Sequence, residues 1–427
     1  MKIAFYTLGC KVNQYESQAA AELMKNNGFE IVNCDEEADV YVINSCTVTA
    51  ESDRKTRQAV RKFKRAHPDS VVVLTGCMPQ AFPQEAESLE QADIVMGNRN
   101  NHLLPKLIKR YFGCGQRIVE IEEHRTGDKF CTDTISGFGG RTRASVKIED
   151  GCNRFCSYCI IPYSRGRVRS KPLDELKAEL EALSRSGYAE VVLVGINLSA
   201  YGSDMNLSIC DAVELAASMD FKRIRLGSLE PDHLTDEVVE RLAKVDKLCP
   251  QFHISLQSGC DNTLKAMNRH YTAAEYLALC NKLRAEFSEA TLTTDIMVGF
   301  PTESEEDFNE SVEFAKTVGF EKVHVFPYSP REGTNAAKMP QLTKAVKEER
   351  SHIMIAQTEA IRQEFLHSQV GKTVNVLFET RHDGGLTEGY TENYTPVKAE
   401  GEAVCGEIAQ VLIDGVDGDF CTGKIVK

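Results

Sequence analysis

The sequence runs to 427 residues, more than one ordinary domain needs and enough for two or three. A hydrophobic share of 42% with 26% charged residues excludes a disordered chain, and a net charge of −13 argues against a general nucleic-acid binder while leaving room for a local basic face. No apolar run approaches the ~18–20 residues that cross a bilayer, and the opening residues lack a signal-peptide pattern, so no membrane partner and a cytoplasmic location are expected.

Residues 1–125 alternate strand and helix, with strands at 2–8, 39–44, 71–75 and 93–97 and helices near 14–27 and 50–66. Unbroken apolar strands between helices imply a parallel sheet covered on both faces. The Gly-, Thr- and charge-rich stretch 126–141 reads as a linker. Residues 142–366 repeat the alternation six times, with strands at 145–149, 190–195, 223–227, 252–256, 293–298 and 322–326. Six β/α units suit an incomplete, open barrel better than a closed one of about eight. From 367 to 427 the pattern changes to short strands at 374–379, 386–394 and 406–413 between Gly and Asp turns, which predicts a small antiparallel barrel.

Fifteen cysteines are many for a reducing compartment and suggest metal or redox chemistry. The strongest local signal is Gly151-Cys152-Asn153-Arg154-Phe155-Cys156-Ser157-Tyr158-Cys159, directly after the first barrel strand. Three thiolates at this C-x3-C-x2-C spacing can converge on one four-iron cluster and leave one iron open to a reactive ligand. A zinc knuckle would need a fourth Cys or His close by, and none follows within the next twenty residues. Cys10, Cys46 and Cys77 each end one of the first three predicted strands, and in a parallel sheet those ends share one ligand-binding edge. Gly9 and Gly76 beside them allow close backbone approach. Cys210, Cys249, Cys280 and Cys405 read as inert small hydrophobes.

At these residues the chain resembles the radical S-adenosylmethionine (SAM) methylthiotransferase family over essentially its full length. The stretch Ile160-Ile161-Pro162-Tyr163-Ser164-Arg165-Gly166-Arg167-Val168-Arg169-Ser170 fits that family too. The resemblance implies a flavodoxin-like amino-terminal domain, a partial (β/α)6 TIM-like radical SAM barrel and a small TRAM-like RNA-binding barrel. It implies two [4Fe–4S] clusters, an auxiliary one on Cys10, Cys46 and Cys77 and a radical one on Cys152, Cys156 and Cys159, with SAM as cofactor. Within the family, Thr7-Leu8-Gly9-Cys10-Lys11-Val12-Asn13-Gln14-Tyr15-Glu16-Ser17 and Asn44-Ser45-Cys46-Thr47-Val48-Thr49 are most similar to the branch acting on threonylcarbamoyladenosine at tRNA position 37. The isopentenyladenosine branch reads nearer YGCQMNE, and the branch for ribosomal protein S12 nearer LGCPKN. The implied reaction removes hydrogen from adenine C2 and installs a methylthio group. The implied partners are the tRNA anticodon arm and an electron donor such as flavodoxin or ferredoxin. The reading from a different class is a non-catalytic iron–sulfur or zinc RNA-binding protein.

Polar residues at the barrel strand ends are candidates for holding SAM: Asn197, Ser228, Glu230, Gln257, Ser258 and Asp295. Ordinary loop capping is the competing reading for each. For RNA, Arg54, Arg57, Arg61 and Arg65 share one helix face at spacings of three and four, and Arg165, Arg167 and Arg169 follow the radical motif. Tyr390 and Tyr394 are candidates for base stacking or for core packing.

Overall fold

The computed structural model describes residues 1–427 apart from 132–133, 136, 138–140, 383–384 and 427. Six parallel strands form the first domain: Lys2–Thr7, Glu30–Val32, Val40–Ser45, Val71–Gly76, Ile94–Met96 and Ile118–Glu120. Numbered in chain order, they lie 2-1-3-4-5-6 across the sheet. The four predicted strands are there, joined by two three-residue edge strands too short to announce themselves in the sequence. Both faces are covered. Tyr41, Ile43, Val72 and Leu74 pack on one side, and Val40, Val42, Val71 and Val73 on the other, which accounts for the absence of polar alternation.

The second domain carries six parallel barrel strands, Arg143–Lys147, Glu190–Val194, Arg223–Leu226, Gln251–Ile254, Thr291–Val298 and Lys322–Pro327. With the short strand Ser228–Leu229 they form a three-stranded and a four-stranded sheet, which meet where Gly227 separates Leu226 from Ser228. The first domain flanks the open side at both margins. Val12 of the helix Lys11–Asn26 packs on Val192 and Val194, and Tyr15 donates its hydroxyl to Glu179 at 2.7 Å. At the far margin, Arg331 pairs with buried Asp53. The expected linker 126–141 lies partly outside the described residues. Its described part contributes Ile135 to the barrel core and Phe130 beneath the ammonium groups of Lys147 and Lys171.

A 24-residue helix, Lys344–His367, leads into a closed five-stranded barrel of Thr373–Arg381, Leu386–Thr391, Pro396–Glu400, Phe420–Ile425 and Ile408–Asp417. It docks on the starts of the large barrel's strands. Arg143 Nε meets Glu379 at 2.6 Å, Arg223 donates to the Asn375 carbonyl at 2.9 Å, and Thr291 donates to the Asn393 carbonyl at 2.6 Å. Tyr390 and Tyr394 stack on each other at 4.5 Å, with the Arg143 guanidinium 5.2 and 5.1 Å from their rings. These tyrosines belong to the contact between the two barrels.

Candidate functional site

The strand order reverses between the first and third strands of the flat sheet, and crevices at such switch points are where parallel sheets bind ligands. Cys10 caps the helix that follows the first strand, Cys46 follows the third, and Cys77 opens the short helix after the fourth. Gly9 has φ +110°, and a Cβ there would come within 2.9 Å of Cys46 Cβ. Gly76 has φ +97°, and its Cβ would lie 2.5 Å from the Ser45 backbone. Any other residue at either place would push the three loops apart. Asn13 ties them together, donating to the Ser45 carbonyl at 2.9 Å and accepting from the Cys10 thiol at 3.2 Å.

Arg165 is the centre of this arrangement, and here the structure corrects the sequence reading. Its guanidinium is 1% exposed, so it cannot reach a phosphate outside. It donates to Cys77 Sγ at 3.3 Å, to Asn13 at 3.1 Å and to the Glu16 carboxylate at 2.5 and 2.9 Å. Arg169 is buried too, paired with Asp150 at 3.2 Å, and Lys171 is fully buried against Glu179. Among the predicted arginines of this run only Arg167 is exposed, lying 4.5 Å from the Phe155 ring. Burial pushes the Cys77 thiol up to about 12, partly opposed by the Arg165 charge. A cation nearby favours the thiolate form that binds metal.

The second triad sits where the first barrel strand ends. Gly151, at φ +88°, passes so close to the Arg167 carbonyl that a Cβ would lie 2.0 Å from its oxygen. The Cys152 N–H donates to the Gly166 carbonyl at 3.0 Å, closing the loop. Burial, with the neighbouring Cys156 adding to it, pushes the Cys152 thiol up to about 12. Arg269 Nη1 lies 3.3 Å from Cys156 Sγ and its other nitrogen pairs with Glu230. In neither triad do all three thiols lie within 4.8 Å of one another. A single tetrahedral zinc, with Zn–S near ~2.3 Å, draws its sulfurs closer than that. Three thiols that act on one another at each place are the donor set of an iron–sulfur cluster.

Beside Cys152 stands a pair of buried polar groups that sequence reasoning missed in part. Glu149, fully buried, accepts the Asn197 N–H at 2.7 Å. Its other oxygen and Asn197 Oδ1 have no hydrogen-bond partner among the described residues. Gly195 makes room for this carboxylate, since a Cβ would come within 2.7 Å of it. Burial holds the Glu149 carboxyl well above the usual carboxylate range. Burial likewise raises Glu230, against the pull of Arg269 and Arg154. Open acceptors next to the Cys152 loop fit a cationic donor such as the methionyl ammonium of SAM.

The remaining predicted SAM residues divide. Ser228 and Asp295 line a cavity of about 640 Å³ inside the barrel, and His253 Nε2 lies 3.3 Å from Asp295. Gln257 is buried at φ +68°, and its backbone links Asp295 and Met297 at 2.9 Å each. Ser258 is fully buried, and its hydroxyl accepts the Cys260 N–H at 3.2 Å. It is a turn device, which corrects its assignment to SAM. The same cavity reaches Cys10, Lys11, Gly195, Gly227, Tyr390 and Tyr394. Lys11 is exposed on its rim, and desolvation by the surrounding protein, with Arg143 and Arg225 nearby, lowers its pKa to about 8. On the helix Ala50–Ala66, Arg54, Arg61 and Arg65 are exposed, Arg54 pairing with Glu51 at 2.5 Å, and half-buried Arg57 pairs with Glu85 at 3.4 Å. Arg57 and Arg61 line a groove of about 500 Å³ with Phe82 and Arg331. Of the thiols read as inert, Cys405 is exposed while Cys210, Cys249 and Cys280 are buried.

Family models match three segments: the Uncharacterized protein family UPF0004 over residues 2–97, the Radical SAM superfamily over 146–315 and the TRAM domain over 367–426. Fold and site thus define a radical SAM enzyme with a flavodoxin-like domain in front and a TRAM barrel behind. The threonylcarbamoyladenosine tRNA methylthiotransferase MtaB of Bacillus subtilis is 38% identical over 436 residues, covering 100% of this chain and 96% of its own length. Its counterpart in Aquifex aeolicus is 38% identical, covering 97% and 100%. The tRNA-2-methylthio-N(6)-dimethylallyladenosine synthase of Alkaliphilus oremlandii is 32% identical, covering 100% and 93%. The chain belongs to the radical SAM methylthiotransferase family, whose radical chemistry uses SAM and a [4Fe–4S] cluster. Among solved structures, the radical SAM methyltransferase TsrM of Kitasatospora setae shares the fold with a TM-score of 0.58 at 13% identity, covering 84% of this chain and 89% of its own.

Proposed function

We propose that this enzyme methylthiolates C2 of N6-threonylcarbamoyladenosine at position 37 of tRNA, giving the 2-methylthio derivative. The carrying observation is the 640 Å³ cavity, which runs from Cys10 of one triad to the barrel strand ends Gly195, Gly227 and Ser228, with Gly195 against Glu149, three residues before Cys152 of the other. A target base there lies beside Cys10, inside the barrel. The full-length match to relatives named for this substrate favours it over dimethylallyladenosine, named for more distant ones. Ribosomal protein S12 is the remaining substrate of the family to be tested.

In this reading Cys152, Cys156 and Cys159 hold the radical cluster and Cys10, Cys46 and Cys77 a second [4Fe–4S] cluster. When bound, these groups and SAM supply a 5′-deoxyadenosyl radical that takes hydrogen from adenine C2, and the methylated sulfur that replaces it. Glu149, Asn197 and Glu230 hold the methionyl end of SAM, and Arg269 orients Glu230 while donating to Cys156. Arg165 balances the negative charge of the auxiliary thiolates from below. The helix Lys11–Asn26 and the small barrel close the cavity and exclude water from the radical. Arg61, Arg65 and Arg167 receive tRNA phosphates, and a flavodoxin or ferredoxin in the cytoplasm delivers the electron.

The test is mass spectrometry of tRNA nucleosides from cells lacking the gene, rescued by wild type or by Cys46→Ala. The methylthio nucleoside should return with wild type alone. An unchanged nucleoside profile in the deletion strain would refute the tRNA assignment.

A further inference from the structure

The cations around the 640 Å³ cavity have very different surroundings. Arg225 is held by Glu190 at 2.8 Å, and Arg362 by Asp419 at 2.8 Å. Arg143, which stands near Lys11, is shared between Glu379 at 2.6 Å and Glu190 at 3.7 Å. The carboxylates at this end of the cavity are therefore already committed. The side chains of Lys11 and Lys322, both on the cavity, make no ion pair or hydrogen bond among the described residues. Lys322 begins its strand, at the end of the barrel covered by the small domain. Lys11 is the residue after Cys10, at the start of the helix that carries the auxiliary loop into the cavity.

An exposed ammonium on the rim of the cavity, whose nearest carboxylate Glu190 is already shared by two guanidinium groups, is open to an anion. The substrate named above brings one. The threonylcarbamoyl group carries a free carboxylate, whereas a dimethylallyl group is neutral and apolar. It hangs from N6, and the ring carbons C6 and C2 both flank N1. A base presenting C2 toward the Cys10 side therefore presents its N6 substituent to the neighbouring residue. We propose that Lys11 is the specificity residue of this enzyme, its ammonium pairing with the substrate's threonyl carboxylate and setting C2 beside the auxiliary site. This rests on the threonylcarbamoyladenosine reading and adds the residue that would enforce it.

The test uses the full chain with its clusters loaded and two anticodon stem-loop RNAs. One carries threonylcarbamoyladenosine at position 37, and the other the same nucleoside with its carboxylate converted to the carboxamide. Each enzyme preparation receives both RNAs, so the ratio of kcat/KM values is independent of the active fraction. A charge-assisted hydrogen bond predicts that wild type prefers the carboxylate by about 10- to 100-fold. Lys11→Gln should bring the ratio close to one, and Lys11→Arg should keep most of it. Equilibrium binding of the two RNAs to protein without SAM should show the same ratios, which reads recognition apart from turnover. If wild type modifies both RNAs equally, or K11Q still discriminates, the role of Lys11 is refuted while the substrate assignment stands. If wild type modifies neither, the substrate assignment itself falls and takes this inference with it.

Discussion

Replacing Arg165 with methionine keeps most of the side-chain volume and deletes one buried charge. Its guanidinium ties Glu16 and Asn13 of the flat sheet's domain to Asp150 of the barrel, at 2.5, 3.1 and 3.3 Å. Stripping one partner from a buried ion pair costs ~3–5 kcal/mol, because the opposite charge remains without water. Lys147 stays on Glu16 at 2.8 Å and on Asp150 at 2.7 Å, which places the loss at the lower end, about 3 kcal/mol. At ~2–4 °C per kcal/mol for a domain the size of the barrel, the melting temperature should drop about 6–12 °C. Iron should fall with it, since the cation beside Cys77 is gone. Circular-dichroism melting and iron analysis of R165M read both, with Arg167→Met as the exposed control that should change neither. A melting temperature within about 2 °C of wild type, with full iron, would refute the assignment of Arg165 to the buried network.

Two other perturbations separate surface from interior. Reversing Arg57 and Arg61 to Glu should weaken tRNA binding and flatten its salt dependence without loss of iron, because both side chains lie on the groove beside the auxiliary domain; unchanged binding and salt slope would remove this helix from the RNA interface. Glu321 is buried where its carboxylate accepts the Leu292 N–H, and burial pushes its pKa up to about 7. A carboxyl raised in the folded state favours folding while protonated, so its contribution is present below about pH 4.5 and lost as pH rises through 7. Glu321→Gln should therefore stabilise the protein at pH 8 more than at pH 5, and denaturant titrations showing an equal effect at both would contradict this.

The elements of this protein are written locally. The unbroken apolar runs around Val40–Ser45 and Val71–Gly76 are buried on both faces, so their identity as parallel strands needs no distant information. The two cysteine triads follow from the same logic, because every parallel strand delivers its following loop to one edge of the sheet. Composition and period thus determined an α/β chain that ends in a small barrel, with the six thiols on loops that follow parallel strands. Tertiary structure decided which polar side chains serve those sites. In one dimension Arg165, Arg167 and Arg169 are a single basic run, and the carboxylate that buries the first lies 149 residues away at Glu16. Arg269 has no local signal at all, since its partners Cys156 and Glu230 are joined to it only when the barrel curves. Tyr390 and Tyr394 could have faced RNA until the small barrel turned them onto Arg143. Backbone periodicity is a property of neighbouring residues, whereas the desolvation and pairing of a charge depend on whatever the fold brings within a few ångströms of it.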